Sequence, residues 1–185
     1  MNKYVRAVGV AGVGAVKMAW TKLFHPKTFH GPLLCMISPL SEITLEPKGK
    51  LHIGKLFKLR DGGKIRVRKG GELILGDNVS IGSNSMIVCH DSITVGSDVQ
   101  FAANVQVYDH DHDFRTENGL KAGKFKNSPV VIGRNVWIGC NSVILRGTII
   151  GDNAVIAAGS VVKGVVPENS VYIQKRSSEI TKVSY

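Results

Sequence analysis

The chain has 185 residues, which is enough for one domain with a hydrophobic core. Its 21 glycines predict many tight turns, its six prolines exclude a low-complexity chain, and its three widely spaced cysteines favour free thiols in a reducing compartment over a disulfide framework. The net charge of +10 indicates an anionic partner, but scattered basic residues with only two Trp and four Tyr argue against nucleic acid and favour a phosphate-bearing cofactor or an anionic membrane surface.

Residues 1–42 are predicted to form an N-terminal helix and a linker. The uncharged stretch 7–16 is too short to span a bilayer. One helical face is small and apolar, with basic residues elsewhere, as in helices that lie on a membrane surface; it comprises Val5, Val8, Gly12, Ala15, Ala19 and Leu23. Packing of the helix on the first coil or on another subunit is the alternative. The segment 25–39 contains three prolines and is interpreted as the linker.

An aliphatic residue recurs every six positions in the C-terminal half, at Ile132, Ile138, Ile144, Ile150, Ile156 and Val162. This period fits neither a helix, which repeats at 3.6, nor a strand, which repeats at 2.0. With Gly, Asn or Asp at the intervening corners, it is typical of a parallel β-helix whose aliphatic residues stack inward from coil to coil. Three hexads per coil predict an all-β triangular prism.

The same repeat extends towards the N-terminus with interruptions. Leu75, Ile81 and Ile87 share one phase, which slips by two residues before it resumes at Val95, and a fainter set begins at Leu45. Residues 43–166 are therefore predicted to form one solenoid, and 167–185 a C-terminal tail. Each coil buries its apolar faces only against its neighbours, so the stack needs several coils.

The longest interruption, residues 108–129, is predicted to be an extruded loop that carries the chemistry. It opens with the run YDHDHDF at 108–114. A carboxylate that orients an imidazole suits general base catalysis. Imidazoles and carboxylates are also metal ligands, and a solvated loop with two histidines is a third interpretation.

At this point the sequence resembles the hexapeptide-repeat acyltransferases, in particular the maltose, galactoside and capsular-polysaccharide O-acetyltransferases. The resemblance covers about two-thirds of the chain and rests on VVIGRNVWIGCNSVILRGTIIGDNAVIAAGSVVKGVVPENSV at 130–171 and FAANVQVYDHDHDF at 101–114. It implies a left-handed parallel β-helix with a short N-terminal helical segment, assembly as a homotrimer with active sites between neighbouring prisms, and acetyl-CoA as co-substrate.

The resemblance also implies roles for individual residues. His112, eight residues after Asn104, corresponds to the catalytic base, and His110 is the alternative because the capsular branch has D-H-x-H. The implied acetyl-CoA site comprises Trp137, Gly139, Ser142, Ala157, Ala158 and Lys163. The small residues among them are interpreted as corner positions, where the pantetheine chain would contact the main chain. The implied acceptor site comprises Asn104, Tyr108 and Asp109, and no metal site is expected.

The chain departs from the maltose and galactoside pattern at both ends. Its N-terminus differs, so their acceptor is not transferable, and the segment 173–179 lacks the Gly and Pro of the usual A-G-N-P ending, which puts cofactor affinity in doubt. The basic N-terminus and the D-H-D-H run favour a cytoplasmic enzyme of surface-polysaccharide synthesis, with peripheral contact to the membrane.

Three alternatives stay open at this stage. One is N-acetylation of an amino sugar. Another is a zinc enzyme of the carbonic anhydrase type, which needs three histidines including an H-x-x-x-x-H element; the sequence has that spacing only at His25 and His30, outside the solenoid. A third is a catalytically inert trimeric scaffold, because the fold alone does not define the function.

Overall fold

The computed structural model describes residues 3–175 and 177–182, with side chains from residue 9 onward. Helix α1 spans Lys3–Phe24. The strands before the loop are β1 (Phe29–His30), β2 (Met36–Ile37), β3 (Glu42–Leu45), β4 (Lys50–Ile53), β5 (Lys58–Leu59), β6 (Lys64–Val67), β7 (Glu72–Leu75), β8 (Ser80–Ile81), β9 (Met86–Cys89), β10 (Ser92–Val95), β11 (Gln100–Phe101) and β12 (Gln106–Tyr108).

The loop contains β13 (His110–His112), a 3₁₀ turn (Gly119–Ala122) and β14 (Phe125–Asn127). Strands β13 and β14 pair antiparallel, so the predicted extruded loop is a two-stranded ribbon. The strands after it are β15 (Val130–Ile132), β16 (Trp137–Ile138), β17 (Val143–Ile144), β18 (Ile149–Ile150), β19 (Val155–Ile156), β20 (Val161–Val162), β21 (Val165–Val166) and β22 (Val171–Tyr172).

The remaining strands form three parallel sheets, one for each face of a prism. Sheet A is ordered β1-β4-β7-β10-β15-β18-β21, sheet B β2-β5-β8-β11-β16-β19-β22, and sheet C β20-β17-β12-β9-β6-β3. The chain passes from A to B to C in every coil, which gives six full coils and part of a seventh. The predicted all-β, left-handed parallel β-helix is confirmed.

The length of the coils changes along the prism. In the later part Ile132 pairs with Ile150, which follows it by three hexads. The first coils are longer than three hexads, because Phe29 pairs with Leu51 and Leu51 with Leu73. The extra residues lie in the longer strands of sheets A and C, such as β3, β4, β6 and β7. They explain why the hexad pattern is faint in the first half of the sequence.

The interior of the prism is the hydrophobic core. The branched aliphatic residues of the six-residue repeat, from Ile132 to Val162, are each at most 1% exposed. The two-residue slip after Ile87 arises in β9, whose four residues bury Cys89 as a second inward position. Stacking of like side chains from coil to coil supplies the packing that a single short strand lacks.

The β-helix begins before the predicted boundary at residue 43 and continues past 166. The segment 25–39, predicted to be a linker, contains β1 and β2 of the first coil instead. Its three prolines, at positions 26, 32 and 39, lie outside both strands, where no backbone N–H is needed for the sheet.

Helix α1 packs on the first coil and covers one end of the prism. Met18 is fully buried, and Gly14 approaches the backbone of β2 so closely that a Cβ would lie 2.1 Å from the Cys35 carbonyl oxygen. Lys17 donates to the carbonyls of Ser38 and Ser41 at 3.0 and 2.6 Å. Among the described residues no helix is both long and apolar enough to cross a bilayer.

Candidate active site

An open cleft of about 550 Å³ lies beside the ribbon, along the edge where the chain leaves sheet C and enters sheet A, here named the C–A edge. Its lining residues lie near the ends of β3, β6, β9 and β12 and on the ribbon, so the cleft crosses four coils. They are Glu46, Arg68, Lys69, Val88, His90, Tyr108, His110, His112 and Phe125.

A buried carboxylate lies beneath this cleft. The Asp109 side chain is fully buried, and it accepts hydrogen bonds from the backbone N–H of His90 at 2.9 and 3.0 Å and of Asp91 at 2.7 Å. Burial raises the pKa of Asp109, but hydrogen bonds from His110, His90, Asp91 and the Cys89 thiol outweigh it and lower the pKa below its ordinary value. Asp109 is therefore ionised at neutral pH.

His110 is held by this carboxylate. Its Nδ1 lies 3.1 Å from Asp109 Oδ1, so Nδ1 carries the hydrogen and Nε2 of the neutral ring has a free lone pair. The His90 ring stacks on the His110 ring with centroids 3.7 Å apart, and Tyr108 meets its edge at 5.8 Å. The side chain is 12% exposed, which leaves it reachable from the cleft.

His90 is a site residue that the sequence does not reveal by itself. Burial lowers its pKa, and the neighbouring His110 lowers it further, so a neutral His90 ring stacks on His110 at physiological pH. Because Val88 pairs with Tyr108, His90 and His110 occupy equivalent positions on successive coils. In the sequence, only the spacing between His90 and His110 indicates that they are neighbours. That spacing can be interpreted only when the number of residues in this coil is known.

His112 occupies a different environment at the outer part of the ribbon. It is exposed, and its ring contacts Phe125 with centroids 4.7 Å apart. Phe125 also contacts the ring of His90 at 4.4 Å, so the ribbon folds over the cleft. Arg146 Nε donates to Asp111 at 2.5 Å and ties the ribbon to the prism. In the described part of the chain, the His112 imidazole has no hydrogen-bond partner.

The far end of the cleft has a charged rim. Arg68 donates to Glu46 at 2.6 Å, and this hydrogen bond lowers the pKa of the Glu46 carboxyl, against the effect of its burial. Lys69 adds a second cation, so the rim carries two positive charges and one negative charge. Within residues 3–175 and 177–182, no group of three His, Cys, Asp or Glu side chains is arranged to hold a metal.

Two family models match the chain. The model described as bacterial transferase hexapeptide (six repeats) matches residues 129–164, and the hexapeptide repeat of succinyl-transferase matches 72–109. The putative lipopolysaccharide biosynthesis O-acetyl transferase WbbJ of Escherichia coli is 34% identical over 131 residues, which are 66% of this chain and 67% of WbbJ. This chain belongs to the hexapeptide-repeat acyltransferase family. The predicted family and the predicted class of acyltransferase are confirmed.

Two further proteins are similar to this chain, one in sequence and one in fold. The putative acetyltransferase YJL218W of Saccharomyces cerevisiae is 37% identical over 112 residues, which are 60% of this chain but only 57% of that protein. The structure of AntD, an N-acyltransferase from Bacillus cereus in complex with dTDP and 3-hydroxybutyryl-CoA, has a TM-score of 0.65. At 17% identity over 84% of this chain and 83% of AntD, this likeness shows the fold alone.

The cofactor residues expected for such an acyltransferase lie mostly on another edge of the prism, where sheet B leads into sheet C, here named the B–C edge. Ala157 and Ala158 follow β19 there, and Gly139 follows β16 one coil below, its α-carbon against the Ala158 backbone. Trp137 lies on sheet B with 56% of its surface exposed. Lys163 is exposed at the C–A edge, after β20.

Two of the expected site residues are buried in this structure. Ser142, read as a corner residue, is fully buried and donates to the Ala157 carbonyl, because the fifth position of each hexad points inward. Asp109, expected to contact the acceptor, is fully buried under His110 and has no surface to offer a ligand.

Asn104 and Tyr108, the other expected acceptor residues, lie apart. Asn104 forms a left-handed corner of the B–C edge with φ 58° and donates to Asn141 at 3.2 Å. Tyr108 lines the cleft, and its hydroxyl donates to Gln106 at 3.1 Å. Asn104 and His110 lie beyond opposite ends of β12, a strand of sheet C. The six steps along the chain from Asn104 to His110 span up to about 20 Å at 3.3 Å per residue.

Proposed function

We propose that the protein is an acetyl-CoA-dependent O-acetyltransferase that acts on a sugar hydroxyl in the synthesis of a surface polysaccharide. The observation that carries this proposal is the buried, ionised Asp109 bound to His110 within a cleft of a hexapeptide-repeat acyltransferase fold. The similarity to WbbJ, whose name gives an O-acetyl transferase of lipopolysaccharide biosynthesis, supports the acceptor class.

His110 is the proposed general base. Its Nδ1 is hydrogen-bonded to Asp109, which fixes the tautomer and stabilises the imidazolium that forms when Nε2 takes a proton. His112 is solvent-exposed and has no carboxylate partner among the described residues, so its ring is less well oriented. These features favour His110 over His112, the sequence-based first choice.

The proposed reaction is a direct transfer. His110 Nε2 takes the proton of the acceptor hydroxyl as its oxygen bonds to the thioester carbonyl carbon. The carbon–sulfur bond then breaks, the acetyl ester remains on the sugar, and the proton on His110 passes to the departing thiolate. His90 and Phe125 both contact the His110 ring and restrict the access of water to it. No covalent acyl-enzyme is needed.

We also propose that the active enzyme is a homotrimer. Trp137, Gly139, Ala157 and Ala158 are small or flat groups at or near the B–C edge, which suits a pantetheine chain close to the backbone. In one chain they are separated by sheet C from His110. In the trimer, the B–C edge of a neighbouring copy would lie against the C–A edge of the first copy. Lys163 of the first copy, at its C–A edge, would then lie near the phosphates of the bound acetyl-CoA.

An apolar column on sheet A supports this assembly. Its outward residues are 38–72% exposed and belong to β7, β15, β18 and β21: Ile74, Val131, Ile149 and Val165. Exposed apolar patches of this kind mark protein interfaces. Light scattering should give the mass of three chains, and Ile149→Lys should shift it towards one chain. Val171→Lys, on sheet B, is the matched control; an unchanged mass for Ile149→Lys contradicts this interface.

The cytoplasm is the proposed location, since acetyl-CoA is made there, with peripheral contact to the inner face of the membrane. The N-terminal helix is the proposed contact, because it shows exposed apolar side chains beside an exposed lysine, Lys22.

The decisive experiment compares His110→Ala with His112→Ala. Calorimetry should show micromolar acetyl-CoA binding to the wild type and to both variants. Thiol release should be measured with panels of sugars that offer hydroxyl groups only or an amine. In His110→Ala, turnover should fall by about 10²–10⁴-fold, the usual contribution of a general base.

Each other outcome has a definite meaning. A comparable loss only in His112→Ala makes His112 the base. Turnover only with amino sugars makes the enzyme an N-acetyltransferase. No binding of acetyl-CoA to the wild type overturns the proposal and favours an inert trimeric scaffold.

A further inference from the structure

The positive charge of the protein is concentrated at one end of the chain. Residues 1–60 contain ten Lys and Arg and two acidic residues, so they carry +8 of the net charge of +10. Both acids of this segment are paired: Glu42 with Arg66 on sheet C, and Glu46 with Arg68 at the C–A edge. The basic residues around α1 therefore have no acidic residues of the same segment left to neutralise them.

Exposed apolar side chains are concentrated in the same place. Eight large ones are 53–76% exposed: Val16, Trp20, Leu23, Phe24, Leu33, Leu34, Leu40 and Leu56. We name this set the cap surface. Val16, Trp20 and Leu23 follow one face of α1, at helical spacings of four and three residues.

Contacts between α1 and the first coils bring these residues together. The close approach of Gly14 to Cys35 places Leu33 and Leu34 beside the helix, and the bonds of Lys17 to Ser38 and Pro39 place Leu40 there. An apolar groove of about 270 Å³ continues the surface, lined by Ala11, Leu34, Cys35, Met36, Leu56, Phe57, Lys58 and Asn78.

We propose that the cap surface docks on an anionic lipid bilayer. A helix that shows an apolar face and basic flanks matches a surface of acyl chains beneath anionic headgroups. Lys22 and Lys27 are exposed next to the apolar residues and supply the charge complementarity. A second copy of the chain would bring two strongly positive ends together, which electrostatic repulsion disfavours.

The active-site cleft starts at the end of the prism that would face the bilayer. The cleft begins at Glu46 in the first coil, which α1 covers, and runs through Arg68 and His90 to His110 in the fourth. Three coil spacings of about 4.8 Å place His110 roughly 15 Å from the first coil. An acceptor at the bilayer surface would enter the cleft from this end. This part of the inference rests on the proposed function, whereas the docking itself does not.

Co-sedimentation with lipid vesicles tests the docking. The probes are vesicles of phosphatidylcholine alone and of phosphatidylcholine with phosphatidylglycerol. The wild type should bind the anionic vesicles, less so at high salt. Trp20→Ser with Leu23→Ser should weaken binding at least tenfold, because the pair removes apolar area that would be buried in the bilayer. Lys22→Glu with Lys27→Glu should do the same, because the pair reverses the charge that attracts anionic headgroups.

Matched controls lie in the C-terminal tail, after the last strand. Ile180→Ser and Lys175→Glu change an exposed apolar and an exposed basic residue there and should leave vesicle binding unchanged. Equal binding of wild type and cap variants, or no binding to anionic vesicles at low salt, overturns the proposal. So does a self-association that the cap variants abolish, which makes a second copy the occupant. Acetyl-CoA titration of the same proteins reports separately on the proposed function.

Discussion

Replacing the buried Asp109 by Asn should damage stability and turnover together. The carboxylate accepts from two backbone N–H groups and from the His110 ring, whereas Asn offers only one oxygen and adds two N–H donors. Hydrogen bonds to a charged group are worth about 1.5–3 kcal/mol each. Loss of one or two of these hydrogen bonds should lower the free energy of unfolding by about 1.5–6 kcal/mol.

The effect on turnover has a separate cause. In the Asp109→Asn variant, a side-chain amide that donates to His110 Nδ1 would favour the tautomer with its hydrogen on Nε2, which then has no lone pair for the acceptor proton. The expected loss of turnover is about 10²–10⁴-fold, with little change in acetyl-CoA affinity. Urea denaturation and thiol release measure the two effects.

The pH dependence of the stability difference tests the charge of Asp109. Its pKa is lower in the folded protein, so its contribution is present above the ordinary carboxyl pKa near about 4 and is lost as the pH falls through the folded value. The gap between wild type and Asp109→Asn should therefore narrow below about pH 4. Other perturbed carboxyls are present in both proteins and cancel in the difference.

The matched control is Asp111→Asn on the same ribbon. Asp111 is 48% exposed and pairs with Arg146, so its loss should cost no more than about 1 kcal/mol. A gap for Asp109→Asn that stays constant from pH 6 to pH 3, or full turnover in that variant, would refute the role assigned to the buried carboxylate.

Further predictions concern the helix and the thiols. Gly12→Ala should raise the melting temperature, because the site is open and Ala is more favourable than Gly in a helix by up to about 1 kcal/mol. Gly14→Ala should lower the melting temperature, because its Cβ meets the Cys35 carbonyl and the clash costs about 1–3 kcal/mol of stability. Equal shifts in thermal denaturation would contradict the close packing of α1. In thiol labelling, the exposed Cys140 should react quickly. Cys35 and Cys89 are buried and desolvation raises their thiol pKa values, so they should react only in denaturant. Rapid labelling of all three cysteines in the native protein would contradict this.

The sequence is most informative where the coils are regular. From Ile132 to Val162 each coil consists of three hexads, so a period of six appears directly in the sequence, and every predicted inward residue is buried. The first coils are longer, and the additional residues in their strands hide the period. For that reason the pattern predicts a start of the β-helix at residue 43, although the first strand begins at Phe29.

Periodicity and local composition are sufficient to predict the parallel β-helix, the position of the loop and the short run that holds the candidate base. They do not reveal which histidine lies on Asp109, that His90 stacks on that histidine, or that Asn104 lies on another edge. These features depend on register, because contacts between coils are set by the number of residues in each coil. Burial of Asp109 likewise depends on backbone N–H groups of a neighbouring coil, and backbone groups leave no signature in a sequence.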